Sequence, residues 1–236
     1  MFTVSLENQA DIVEKLLQLY YPQGAKIIDF TYGTGAIWWN VFEKPFLNEK
    51  YQITKTDAEP STKLKEPIHT LDLTKDDYSQ LGKHDIGVFD PPYLIGRPSF
   101  DYLSNGKVLD SGIAGTQKVI SMGFQGKRSW SSTNLNKYVC NLTRSVFDER
   151  VDGLKIKADQ TIKSEGLLFV KIMNPRNNGK IIDHVYTIKQ KLQNFELMDE
   201  LIYIRQGATT WKVKGHLQNL HGFWLIFQKK SECVLA

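Results

Sequence analysis

Cysteine is nearly absent from this chain of 236 residues, with Cys140 and Cys233 the only two. They are too few for a disulfide framework, and they have neither Cys-x-x-Cys spacing nor a nearby histidine to suggest zinc. No run of eighteen apolar residues occurs, so no membrane-crossing helix is expected. Met1 to Gln9 lacks the basic start and apolar run of a secretory signal. Internal repeats and low-complexity tracts are missing as well. The expectation is a cytoplasmic protein without a metal, folded as a single domain over 1–236.

What is present is an ordinary globular mixture, 41% hydrophobic and 24% charged, with a net charge of +4. The charge is unevenly placed. From Arg97 to Arg144 there are seven basic residues against two acidic ones, an excess larger than that of the whole chain. Between Arg205 and Gly222, Arg205, Lys212 and Lys214 stand without an acid. Basic segments among Gly, Ser, Asn and aromatic residues suit a polyphosphate partner. Arg97, Lys127, Arg128, Trp130, Lys212 and Lys214 are the expected nucleic-acid contacts.

Hydrophobic periodicity alternates between helix and strand. Leu6 to Tyr20 reads as an amphipathic helix ended by Pro22 and Gly24. Strands are expected at Lys26 to Phe30, Tyr51 to Thr56, just before Asp72, and Asp85 to Phe89. A long stretch rich in Gly and Ser, Leu94 to Thr133, follows; loops of that length usually carry function or are disordered. Then come a helix from Asn134 to about Ile162, an apolar strand from Gly166 to Met173, and a helix from Ile181 to Phe195. Two final strands, Leu197 to Ile204 and Phe223 to Gln228, have no helix between them. The pattern predicts an α/β fold: a mostly parallel, doubly wound sheet with one antiparallel strand near the C-terminus.

Two motifs sit where strands end, and ligands of open α/β sheets bind at the carboxyl ends of strands. The stronger is Asp90-Pro91-Pro92-Tyr93, directly after the strand ending at Phe89. Prolines freeze the backbone there. The Asp90 carboxylate and the Pro91 carbonyl are then two rigid acceptors matching the two hydrogens of an exocyclic amino group. Tyr93 offers a flat surface for a base. The second motif, Asp29-Phe30-Thr31-Tyr32-Gly33-Thr34-Gly35, has the strand, Gly-x-Gly, helix form of a nucleoside loop, although the third glycine of the dinucleotide fingerprint is missing. Asp57 ends the second strand, where an acid takes ribose hydroxyls, and Glu59 competes for that role. Asp72 follows the third strand.

Together these motifs resemble the S-adenosylmethionine-dependent amino-methyltransferases that act on adenine N6 or cytosine N4 in DNA, over about Leu6 to Gln228. The resemblance implies a Rossmann-like methyltransferase fold and S-adenosylmethionine as cofactor. It implies that Asp29, Thr31, Gly33 and Gly35 hold the methionine part, Asp57 the ribose and Asp72 the adenine. Asp90, Pro91, Pro92 and Tyr93 would then hold a flipped or single-stranded target base. The glycine loop departs from the family at Phe30-Thr31-Tyr32. Only eight residues follow Gln228, so target readout is expected from 94–133 and 205–222, or from a partner subunit or second copy. DNA is preferred over RNA as substrate. Adenine N6 or guanine N2 in RNA, and a non-catalytic nucleic-acid-binding subunit, remain alternatives. Lys171, near the end of its strand, has two readings, a lysine that reaches the mouth of the site or, preferred, a strand-edge lysine snorkelling to solvent; Trp38 and Trp39 read as packing residues.

Overall fold

The computed structural model describes residues 2–58, 66–91, 144–174, 176–177, 180–181, 183–204 and 221–231. A short edge strand, β1 (Phe2–Ser5), comes first and was not expected from the sequence. Asn8 then starts α1 (Gln9–Tyr20), its side chain accepting the Asp11 N–H and satisfying a donor that the helix start leaves free. After β2 (Ala25–Asp29), the glycine turn leads through a single 3-10 turn (Ala36–Trp38) into α2 (Trp39–Glu43) and α3 (Pro45–Lys50). Pro45 opens α3 at a position where no N–H is needed. Strands β3 (Tyr51–Asp57), β4 (His69–Thr70) and β5 (His84–Phe89) follow.

The second half holds α4 (Arg144–Thr161), β6 (Ile162–Ile172), the short pair β7 (Arg176–Asn177) and β8 (Lys180–Ile181), and α5 (His184–Lys191). It closes with β9 (Phe195–Ile204) and β10 (His221–Lys229). His221 thus opens the last strand two residues before the expected start at Phe223, with its ring edge-on to Phe223.

Eight strands form one sheet in the order β1-β9-β10-β6-β5-β2-β3-β4. All neighbours are parallel except β10, which runs antiparallel to both β6 and β9. This is the doubly wound sheet with one reversed strand that the pattern predicts. β7 and β8 pair separately and antiparallel. Both faces are covered, as a parallel sheet requires. Alternate residues of β6 divide between two cores. Leu168, Val170 and Ile172 pack with Phe147, Val151 and Leu154 of α4, while Leu167 and Phe169 pack with Ile12, Val13, Leu16 and Leu17 of α1.

Strand order reverses between β2 and β5: the chain leaves β2 toward β3 and β4, then returns to β5 on the other side. A crevice opens at such a switch point, outside the carboxyl ends of the strands. No helix among the described residues is long and apolar enough to cross a membrane.

Candidate active site

At the switch point the loop that leaves β2 is tied to the end of β3 and to the first residue after β5. Asp29, the last residue of β2, is wholly buried. Its Oδ1 accepts the Thr31 N–H at 2.9 Å and its Oδ2 accepts the Trp38 indole N–H at 2.6 Å. Burial pushes its carboxyl up to about 7, opposed by those two donors and reinforced by the charges of Asp90 and Asp57. Both bonds run to the loop and turn that follow β2, so Asp29 shapes the glycine loop from beneath.

Thr31 joins the first loop to the third, its Oγ1 accepting the Asp90 N–H at 2.7 Å. Tyr32 N–H donates to the Thr56 carbonyl at 3.0 Å, and the Thr56 hydroxyl returns a bond to the Asp29 carbonyl at 2.9 Å. Asp57, at the end of β3, accepts the Gly33 N–H on Oδ2 at 2.8 Å.

The two glycines of the loop differ. Both have positive φ, 58° at Gly33 and 71° at Gly35, where a side chain is disfavoured. Among the described residues, a Cβ on Gly33 would meet only the Thr31 carbonyl, at 3.8 Å, and they leave that side of the backbone open. A Cβ on Gly35 would lie 2.5 Å from the Tyr32 hydroxyl. Gly35 therefore makes room for the protein's own tyrosine, a packing demand invisible in the sequence.

Asp72 follows β4, and its Oδ1 takes the Thr74 N–H at 2.9 Å, the Thr74 hydroxyl at 2.8 Å and Arg150 of α4 at 3.1 Å. Burial pushes this carboxyl up, but the Thr74 bonds and the Arg150 charge outweigh it and hold the group below its usual range.

Asp90 and Pro91 come directly off β5. Both Asp90 oxygens accept from Lys171 Nζ at 2.8 Å, and the same Nζ donates to Gln9 Oε1 at 2.6 Å. Only 6% of the lysine side chain and 14% of the aspartate side chain are exposed. Burial pushes the Asp90 carboxyl up and the ammonium opposes it. Lys171 therefore does not snorkel. Its strand is interior to the sheet, with β5 on one side and β10 on the other, so its head has only the site to reach. The register holds a signal for this contact, since Phe89 pairs with Val170 and one further step sets Asp90 beside Lys171.

Trp38 is wholly buried, as a packing role requires, whereas Trp39 is 63% exposed and packs little. Pro92, Tyr93, Arg97, Lys127, Arg128, Trp130, Lys212 and Lys214 lie outside the described residues. Among the described residues, no three His, Cys, Asp or Glu gather as metal ligands.

No protein-family model matches this sequence. No curated protein matches it either. Solved structures do match. One is the 1,6-didemethyltoxoflavin-N1-methyltransferase of Burkholderia thailandensis, with 1,6-didemethyltoxoflavin and S-adenosylhomocysteine bound. It has a TM-score of 0.50 at 10% identity, over 95% of this chain and 80% of that one. Two others are TrmN from Thermus thermophilus (TM-score 0.48, 12% identity, 95% and 51% covered) and the N-methyltransferase NodS from Bradyrhizobium japonicum WM9 (TM-score 0.44, 10% identity, 95% and 99% covered). At such identity the first likeness establishes architecture, and the chain has the Rossmann-like methyltransferase fold.

Proposed function

We propose that this chain is a methyltransferase that uses S-adenosylmethionine to methylate the exocyclic amino group of a nucleobase, with adenine N6 in DNA the first candidate. One observation carries the reading. Asp90 and Pro91 leave β5 beside the glycine loop that leaves β2, at the switch point of a sheet with the methyltransferase fold.

The residues present fit the cofactor. The open side of Gly33 lets a ligand approach the backbone, and Asp57 is an acid one strand away, where ribose hydroxyls are bound. Gly33 and Asp57 would hold S-adenosylmethionine, with Thr31 and Asp29 keeping the loop in shape. Bound there, the cofactor supplies an electrophilic methyl group. The chain's own part is placement. The Asp90 carboxylate and Pro91 carbonyl accept the two amino hydrogens and so aim the nitrogen lone pair. The carboxylate also stabilises positive charge developing on that nitrogen. Tyr93 would stack on the base, which must leave its duplex or arrive single-stranded. The stretches 94–133 and 205–222 of the single domain are assigned to target recognition.

The test is transfer of label from S-adenosylmethionine to DNA and, separately, to total RNA, followed by nucleoside mass spectrometry. N6-methyladenine in DNA is expected. Label confined to RNA would move the substrate, and failure to bind the cofactor would remove the enzyme reading. Cofactor bound without transfer to either would point to a missing partner subunit.

The glycines give a second, sharper expectation. Gly33→Ala should cost about 1–2 kcal/mol in stability from its left-handed backbone alone and should weaken S-adenosylmethionine binding markedly. Gly35→Ala drives a methyl into the Tyr32 ring as well, and should cost about 2–4 kcal/mol. Thermal denaturation and calorimetric titration with the cofactor separate the two. Equal stability losses would show that Tyr32 yields freely.

A further inference from the structure

A lysine buried beside the proposed acceptor is not required for reading the motif, and its geometry is specific. Lys171 Nζ carries three hydrogens and faces three oxygens: both of Asp90 at 2.8 Å and Gln9 Oε1 at 2.6 Å. Gln9 opens α1, so the lysine is fixed from the helix as well as from its own strand. The Tyr203 ring of β9 lies 5.9 Å from Nζ. Among the described residues, the charged and titratable groups around the Asp90–Lys171 pair are Asp29 at the end of β2, with Asp57 of β3 beyond it, and Tyr203 of β9 beside the lysine; Gln9 on α1 is neutral.

We propose that Lys171 is the positioning residue of this site: it holds the Asp90 carboxylate in place as a pure acceptor, and so selects a target that presents an amino group over one that presents a carbonyl. This rests on the amino-methyltransferase reading above. An ionised carboxylate accepts only, whereas a protonated one also donates and would welcome a carbonyl oxygen. Burial favours the protonated form. Lys171 is the cation in contact that favours the ionised one.

The experiment follows the Asp90 carboxyl in full-length protein carrying 13C-labelled aspartate, with Asp90→Asn to assign the signal, in wild type, Lys171→Met and Lys171→Arg. The titration needs no turnover. In Lys171→Met the carboxyl should titrate about one pH unit or more above wild type. The acid limb of the methyl-transfer rate should move with it, and kcat should fall about tenfold or more at neutral pH while KM for S-adenosylmethionine holds. Lys171→Arg, which keeps the charge, should restore much of both. If Lys171→Met does not fold, Lys171→Gln removes the charge and keeps a donor, with the same direction expected. An Asp90 titration unmoved by loss of the charge overturns the proposal whatever the activity. A titration that moves, in a protein that methylates no nucleic acid even as wild type, leaves the positioning role standing and sinks the assigned reaction.

Discussion

Asp90→Asn is expected to lower methyl transfer by about 100-fold or more, the scale seen when one preorganised electrostatic partner of a transition state is removed. The variant keeps the size of the side chain and one acceptor oxygen. It loses the negative charge that favours a developing positive nitrogen, so the loss should fall on kcat more than on cofactor affinity. The bond from the Asp90 backbone N–H to Thr31 survives the change, so the glycine loop keeps its tie to β5. Stability should fall too. Lys171 is 6% exposed, and breaking a buried pair by removing one partner costs about 3–5 kcal/mol. Cofactor binding must therefore be measured well below the melting temperature of the variant. Retained transfer would mean that the Pro91 carbonyl alone suffices, and that Asp90 serves the fold through Lys171.

The features legible in the sequence are those written locally. Apolar strands ending in an acid, a glycine pair or an Asp-Pro turn mark β2, β3 and β5 without knowledge of neighbours, and the missing helix before β10 marks the reversed strand. Features decided by neighbours were not legible. β1 is four residues long and becomes a strand by pairing in parallel with β9, far away in the chain. β6 begins at Ile162, where Lys163, Ser164 and Glu165 look like a loop. They are exposed, Glu165 has a φ of 62°, and the pairing with β5 shifts register at this point. For the same reason the sequence preferred the wrong one of two readings for Lys171, because a lysine in an apolar strand looks misplaced until the register sets it beside Asp90. The demand for glycine at position 35 is likewise set by a neighbour, the Tyr32 ring that an added Cβ would strike.

Trp38→Ala should cause a large loss of stability. The side chain is wholly buried in the core against α1, and truncating a buried tryptophan costs about 3–5 kcal/mol. The indole is also a donor to Asp29, so truncation strips a buried carboxylate of one of its two N–H partners. For a chain of this size each kcal/mol is worth about 2–4 °C, so the melting temperature should drop by about 10 °C or more. Trp38→Phe separates the two parts, since it fills most of the space and cannot donate. The sign of its pH dependence follows from Asp29. Its folded carboxyl, pushed up to about 7, lies above the 3.8 of the unfolded chain. Between those values the folded state holds the extra proton, so this group's contribution to stability falls as pH rises through the window. Without the indole N–H the carboxylate is harder still to form, and the window extends upward. Trp38→Phe should therefore sit nearer to wild type at pH 5, where Asp29 is protonated in both, than at pH 8. Thermal melts of the two proteins at those pH values test it. A deficit of equal size at both would mean that the indole contributes packing alone, and that the N–H placed at 2.6 Å does not govern the Asp29 charge.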